Sequence, residues 1–450
     1  MAQCSRNPIA STLLVMIVAG GLAPSANASG FQLREQSASA QGNAFAGVSA
    51  GGEDASGLFF NPASMTRIDG NQCTLGGSYV APVASFGNGQ ATRAPIIPDA
   101  QRSISGTPSA PNSAKTVTIP NLAATWSLNE TLRLGLSINA PFGLITDYGS
   151  DFLGRYHARK SDLKTLDIAP AVALRINPQW SAGLAIVARK ADAEISNSVD
   201  FGMIGALKGI PGYTPGGSDG MATMKGSKWG YGYRLGLTFQ PIEALHLGLA
   251  YHSSTRMNLS GTLTYSGVPT ILGGAFRNSD ATAEVNLPAT ASLGADYHVN
   301  ESLDLKAELA RTEWSSFQEL RVKIASGQPD AVTVENWHDT WFFSLGGTWK
   351  LNKTTALRAG LAMDQGAAPN DTRTPRIPDG DRTWVSLGLG HAFTSLFSID
   401  LGYTHIFVKQ SPIALNSGTS PSSPDFFRGN LSGEFSSHID ILAIQGKFTF

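Results

Sequence analysis

Leu303-Asp304-Leu305-Lys306-Ala307-Glu308-Leu309-Ala310 is the stretch whose reading decides the fold. If its residues alternate, Leu303, Leu305 and Leu309 share one side and Asp304, Lys306 and Glu308 the other, whereas helical spacing would scatter the three charges around the element. The stretch therefore reads as a strand with one apolar and one polar face. Residues 397–403 repeat the pattern, with Phe397, Ile399, Leu401 and Tyr403 opposite Ser398, Asp400 and Gly402. In "TWFFSLGGTWKL" (340–351), Trp341 and Trp349 fall on one face. At about 3.3 Å per residue and a tilt of about 40°, their separation covers about 20 Å, near the height of a membrane's apolar band. Two tryptophans on a strand also suit a soluble sandwich, but the pattern recurs along the whole chain. The last strand, "HIDILAIQGKFTF", sets Leu442, Ile444, Phe448 and Phe450 against Gln445, Lys447 and Thr449.

Composition narrows the class. Charged residues are 15% of the chain and 49 of 450 residues are glycine, against roughly 25% and about 7% in soluble domains. A net charge of −1 gives no reason to expect nucleic acid. Arg6, the apolar run Ile9 to Leu22, and Ala26-Asn27-Ala28 read as a secretory signal peptide over 1–28, too short and too soon broken by Pro24 for an anchor. Removal of that segment takes Cys4 with it and leaves Cys73 unable to form an intramolecular disulfide. No later stretch is apolar enough for a spanning helix, so a low-charge, exported chain of this kind has one route through a membrane, a closed antiparallel β-barrel.

The turns give the strand number. "WSLNETLRLGL", "LRINPQWSAGL", "TFQPIEALHLGLAY", "DYHVNESLDLKAEL", "TWKLNKTTALRAGL" and "HAFTSLFSIDLGY" each set a short polar or proline-bearing turn between alternating runs. Longer connections near 87–115, 144–162, 197–227, 267–280, 326–337, 369–381 and 411–437 lie between them. That spacing predicts about fourteen antiparallel strands over 71–450. Residues 29–70 do not alternate; they are broken by Gly42, Gly47, Gly51, Gly52 and Gly57 and suit short helices. A barrel of this width is too wide for side chains alone to fill, so 29–70 reads as a plug, or hatch, in its bore. Pro62 would hold Asn61 out of helical geometry where the chain leaves for the wall.

Specific motifs sharpen this. "SGFQLREQSASAQGNAFAG" (29–47), "EDASGLFFNPASMTRI" (53–68), "NAPFGLITDYGSDFLGRYHARKSDLKT" (139–165), "LPATASLGADY" (287–297) and "TRTPRIPDGDRTWVSLG" (372–388) resemble the FadL/TodX-type outer-membrane transporters of long-chain fatty acids and other hydrophobic compounds. The resemblance covers essentially the whole mature chain. It implies a fourteen-stranded barrel with an N-terminal hatch, a monomer in the outer-membrane lipid, uptake without energy coupling, and sideways exit of the ligand through the wall.

Site expectations follow. Two long connections are unusually apolar: "VDFGMIGALKGIPGY" carries Phe201, Met203, Ile204, Leu207 and Ile210, and "GVPTILGGAF" carries Val268, Ile271, Leu272 and Phe276. The resemblance implies a first-capture groove between them; alternatively these residues only pack the loops together. By the same resemblance, the position of Phe31 is similar to that of a hatch tip lining an inner ligand pocket. Asn61-Pro62-Ala63 is expected either as a hatch hinge or as an ordinary turn. A ligand carboxylate would want a cation; Lys306 and Arg358 point inward by alternation, although Asp304 and Glu308 flank Lys306 and on charge grounds favour ordinary ion pairing for it.

An enzyme is disfavoured. "GVSAG" (47–51) and "GGSDG" (216–220) match a G-x-S-x-G elbow without its strand-to-helix setting. The histidines are dispersed, no metal motif is present, and no glycine cluster carries the tail of a phosphate loop, so no cofactor is expected. A general diffusion porin would share the strands, but needs neither plug nor apolar loops. A transporter of aromatic hydrocarbons or alkanes remains open beside one of fatty acids, as does a purely structural barrel.

Overall fold

Residues 30–450 are described by the structure, a computed structural model; the expected signal peptide lies outside them. The first wall strands are β1 (Gln72–Thr92), β2 (Val117–Ser127), β3 (Leu132–Asn139), the short β4 (Gly143–Asp147) and β5 (Lys160–Arg175). Next come β6 (Trp180–Asp200), β7 (Asp219–Ile242), β8 (Leu245–His252), β9 (Thr255–Ser266) and β10 (Ser279–Leu287). The chain continues through β11 (Thr290–Asn300), β12 (Leu303–Thr312), β13 (Glu319–Ile324), β14 (Ala331–Val334) and β15 (Thr340–Lys350). It ends with β16 (Thr355–Asp364), β17 (Arg382–Ala392), β18 (Phe397–Leu415) and β19 (Asn430–Thr449).

The pairings form a closed, fourteen-stranded antiparallel barrel. Its order is β1-β2-β3-β5-β6-β7-β8-β11-β12-β15-β16-β17-β18-β19 and back to β1, where Gln72 faces Thr449. β4 continues β3 after a break. β9, β10, β13 and β14 adjoin β8, β11, β12 and β15 in the chain and form an extension of the wall beside the outer part of β7, with β9 paired to Met221–Ser227. The alternation predicted from sequence is present: Leu305 and Leu309 are exposed while Asp304, Lys306 and Glu308 are buried in the bore. Trp341, Trp349, Leu442, Ile444, Phe448 and Phe450 also face outward. This apolar-out arrangement is stable only with lipid around it.

Strand length departs from expectation. β6, β7, β18 and β19 run into stretches that read as loops from sequence, so the loop at 197–227 shrinks to the residues between Asp200 and Asp219, and that at 411–437 to those between Leu415 and Asn430. The strands outrun the bilayer, which needs only about 9–11 residues. Beyond it the lipid no longer demands an apolar outer face.

Almost every residue from 30 to 68 is buried inside the ring. This hatch comprises the helix Ala38–Gly42 and the 3₁₀ turns Ala55–Phe59 and Pro62–Arg67. Asn61 is extended, as Pro62 requires, but it begins a further 3₁₀ turn, and the chain enters the wall only at Gln72. Inward-facing glycines admit the hatch backbone. A Cβ on Gly248 would stand 1.7 Å from the Ser49 carbonyl oxygen, and one on Gly236 1.8 Å from Asn61 Oδ1.

Candidate functional site

The hatch is tied to the wall by polar groups on inward positions. Glu53 accepts from Lys306 Nζ at 2.7 Å, from Arg358 Nη2 at 2.6 Å and from Thr348 Oγ1 at 3.0 Å; Arg358 also holds Asp400 at 2.8 Å. Asp54 accepts from Gln445 Nε2 at 2.9 Å, and Glu308 from the Ser49 amide at 3.1 Å. Lys306 and Arg358, offered as candidates for a ligand carboxylate with ordinary ion pairing as the alternative, are thus placed in ion pairs. Both cations are engaged by the hatch glutamate, and neither lines the cavities described below. Asn61 is likewise fixed: its Nδ2 donates to the Ser49 and Leu237 carbonyls at 2.6 and 3.1 Å, and its Oδ1 accepts from the Ala63 amide at 2.9 Å. Pro62 and Ala63 are buried beside it in the 3₁₀ turn that Asn61 caps.

Phe31 stands at a junction. Its ring meets Trp314 at 4.7 Å, Trp337 at 5.7 Å, Phe317 at 6.0 Å and Phe142 at 6.1 Å between centroids. Gly30 permits this packing, because a Cβ there would lie 2.5 Å from the Trp337 ring. Two cavities share Phe31, Leu144, Leu163 and Ile377 as a common partition. The outer one, about 690 Å³ counting its open side, lies beneath the extension and is walled by Met224, Leu259, Val285, Phe317 and Leu320. The inner one, about 1400 Å³ on the same measure, runs between β1, β2 and the β3–β4 break and includes Val80, Val117, Ile119 and Ala140.

The inner cavity reaches a gap in the wall. β2 pairs with β1 from Val117 to Thr125, but with β3 only from Leu122 to Ser127. At Ala140–Gly143 the β3 line turns inward and bonds to the hatch instead. Gln36 brackets the Ala140 backbone at 2.9 and 3.2 Å, the Leu33 amide donates to the Pro141 carbonyl at 2.8 Å, and the Gly143 amide donates to the Phe31 carbonyl at 3.1 Å. Above, residues 113–115 rejoin β4 through the Ser113 and Lys115 backbones. The result is a side window about 16 Å long, from five residues at about 3.3 Å each. Pro120 lies on its rim, where a residue without an N–H belongs.

The two apolar loops do meet. Phe201 packs edge-on to Phe276 at 5.0 Å, and Tyr265 to Phe276 at 5.4 Å. Phe201 and Met203 are nevertheless fully buried on the short helix Phe201–Leu207, and Leu272 is buried as well. Those three pack the loops and do not face an incoming ligand. Leu207 and Ile271 are exposed, while Ile204, Ile210 and Phe276 are half-buried.

A stoppered lipid-facing barrel with largely apolar cavities and a side window defines a plugged outer-membrane channel for apolar cargo. The chain belongs to the outer membrane protein transport protein family (OMPP1/FadL/TodX), whose family model matches residues 20–450. It is an outer-membrane transporter of hydrophobic compounds and not an enzyme. The long-chain fatty acid transport protein of Escherichia coli O6:H1 is 31% identical over 401 residues, covering 84% of this chain and 86% of that one. The crystal structure of a Pseudomonas aeruginosa FadL homologue matches with a TM-score of 0.84 at 26% identity, over 94% of this chain and 100% of that one. The Pseudomonas putida toluene transporter TodX, at 19% identity and a TM-score of 0.69 over 93% and 99%, shares the fold.

Sequence reasoning missed Arg376, the one cation among the described residues that line the outer cavity. It sits in a loop between Pro375 and Pro378, where alternation says nothing about direction. The only available signal was a cation isolated among prolines and isoleucine in a motif already singled out.

Proposed function

We propose that this barrel admits long-chain fatty acids by passive diffusion and releases them sideways into the bilayer, acting as a monomer. The observation that carries the reading is the pair of apolar cavities meeting at Phe31, the inner one open at the wall window. A hydrated acyl tail gains roughly 0.8 kcal/mol per CH₂ on entering such a space, so cavity and membrane form a downhill series. Exposed Leu207 and Ile271 supply a first landing place, the outer cavity holds the ligand, and withdrawal of Phe31 joins the two cavities. A water-filled diffusion pore has no use for a lumen packed with a hatch. The fatty-acid assignment is supported by the named activity of the Escherichia coli relative, and a monomer by a wall that closes on itself with an apolar outer surface.

The test is ligand binding to the detergent-purified protein, oleate against toluene. Oleate is expected to bind at micromolar concentration and toluene far more weakly; the reverse order would replace the reading with aromatic hydrocarbon transport. Ile271→Asp and Leu207→Asp together should lower oleate uptake several-fold at limiting concentration while leaving binding by the purified protein nearly unchanged. Unaltered uptake in that double variant would remove these loops from capture.

A further inference from the structure

One buried carboxylate stands at the break in the wall. β3 pairs with β5 as far as Asn139 opposite Asp167, and the β3 line rejoins β5, as β4, at Gly143 opposite Lys164. Asp167 is fully buried there and carries two guanidiniums from the next two wall strands. Arg189 on β6 donates to its two oxygens at 2.7 and 2.8 Å, and Arg234 on β7 donates at 2.6 Å. Two cations on one anion leave positive charge that the anion does not balance, and each guanidinium turns to an aromatic ring. Arg189 lies 4.9 Å from the centroid of Phe142, and Arg234 lies 4.4 Å from that of Phe59. A cation over a ring face is held more firmly when both are out of water.

The two rings belong to different parts of the molecule. Phe142 is on the inward-turned segment beside the window, and Phe59 closes a 3₁₀ turn of the hatch. Phe59 packs edge-on to Phe60 at 5.0 Å and to His252 at 5.5 Å, whereas Phe142 meets Phe31 at 6.1 Å and Trp314 at 6.3 Å. A link between Phe59 and Phe142 therefore runs through Arg234, Asp167 and Arg189. Phe142 is also held along its backbone by the wall. Its amide donates to Thr165 Oγ1 at 2.9 Å, and its carbonyl accepts from the Thr165 amide at 3.1 Å and hydroxyl at 2.7 Å. Of the two phenylalanines that meet here, Phe142 is braced by β5 and β6, and Phe31 is carried by the tip of the hatch.

We propose that Asp167 is the positioning residue of the side window. Through Arg189 and Arg234 it ties Phe142 to the hatch ring Phe59, so that Phe142 stays in place as a fixed jamb while Phe31 moves aside. This rests on the sideways-exit reading and goes beyond it by making the shape of the window depend on the seating of the hatch body. Loss of either ring–cation contact frees Phe142 to turn into the inner cavity, which it lines, and narrows the space that an acyl tail must occupy. The tie is short and made of charge-assisted bonds, so a change at one end is felt at the other.

The test is a double-mutant cycle on Phe59→Leu and Phe142→Leu, read by the KM and maximal rate of oleate uptake by cells carrying equal amounts of folded protein. Each single variant should raise KM about threefold to tenfold with the maximal rate within about twofold, the range of one cation–ring contact. The double variant should be no worse than the singles, because either one already breaks the tie. In Arg189→Met, which leaves Asp167 paired with Arg234, Phe59→Leu should no longer change KM. A purely structural role would lower the thermal midpoint of Arg189→Met and leave the Phe59→Leu effect as large as in wild type. That additive outcome overturns the brace and leaves sideways exit standing, as does an unchanged KM in either single variant. Wild type without saturable oleate uptake would overturn the transport reading and the brace with it.

Discussion

Replacing Glu53 with alanine is expected to turn a tight barrel into a leaky one. The carboxylate ties the hatch to three wall strands at once, through Lys306 on β12, Thr348 on β15 and Arg358 on β16. Lys306 and Arg358 are almost completely buried, so the substitution leaves two cations in the bore with reduced compensation. Asp400 still faces Arg358 at 2.8 Å and Asp296 faces Lys306 at 3.9 Å, and the Glu53 side chain is itself 30% exposed. The loss is therefore placed at about 3 kcal/mol, the low end for breaking a buried pair. That is more than a hundredfold shift toward a displaced hatch, at about 1.4 kcal/mol per decade. Single-channel recording in planar bilayers should show rare openings for wild type and frequent, long-lived ones for Glu53→Ala. Glu53→Gln, which keeps the shape and part of the hydrogen bonding, should fall between them. Conductance identical to wild type in the alanine variant would mean that the remaining anchors at Ser49, Asp54 and Asn61 hold the hatch unaided.

The same contacts show where sequence reading succeeds and where it stops. Alternation placed Lys306 and Arg358 inside the bore, because lipid on one side forces a period of two on every spanning strand. It said nothing of their partner, since Glu53 lies 253 residues from Lys306 and reaches it only once the hatch is folded into the ring. Gly236 and Gly248 were likewise legible as glycines and illegible as necessities. Their reason is the hatch backbone pressed against them. The hatch itself was readable from its small residues and from Asn61-Pro62. The outer ends of β6, β7, β18 and β19 were not, because above the bilayer their outer faces are free to be polar. Of β9, β10, β13 and β14, only β14 falls within a stretch that reads as loop, the connection near 326–337. Phe201 and Leu272 illustrate the matching limit at the site: apolar residues in an outer loop serve either capture or packing, and only their burial separates the two.

The second large effect concerns the exit. Ala140→Trp should reduce oleate uptake by cells about tenfold or more while leaving oleate binding to the purified protein within about twofold. Ala140 lines the inner cavity at the break where the β3 line leaves β2. Its backbone is bracketed by Gln36, and the exchange keeps that bracket while setting an indole into the space before the window. The outer cavity does not include Ala140, so the ligand's first resting place is untouched. This route disturbs only the tip of the hatch, whereas a downward one must release its body. Descent through the bore requires releasing Glu53 from β12, β15 and β16, Asn61 from β7, and Arg67 from Asp296 at 3.6 Å. Sideways passage needs the Phe31 ring to leave its aromatic neighbours, the Phe31–Leu33 pairing with Pro141 and Gly143 to loosen, and the bonds of Gly30 to Arg382 and of Gln32 to Thr290 and Thr312 to give. It also keeps the acyl tail in apolar surroundings until the bilayer receives it. Normal uptake by Ala140→Trp would therefore show that ligand descends past the hatch after all, and the window would lose its part in transport.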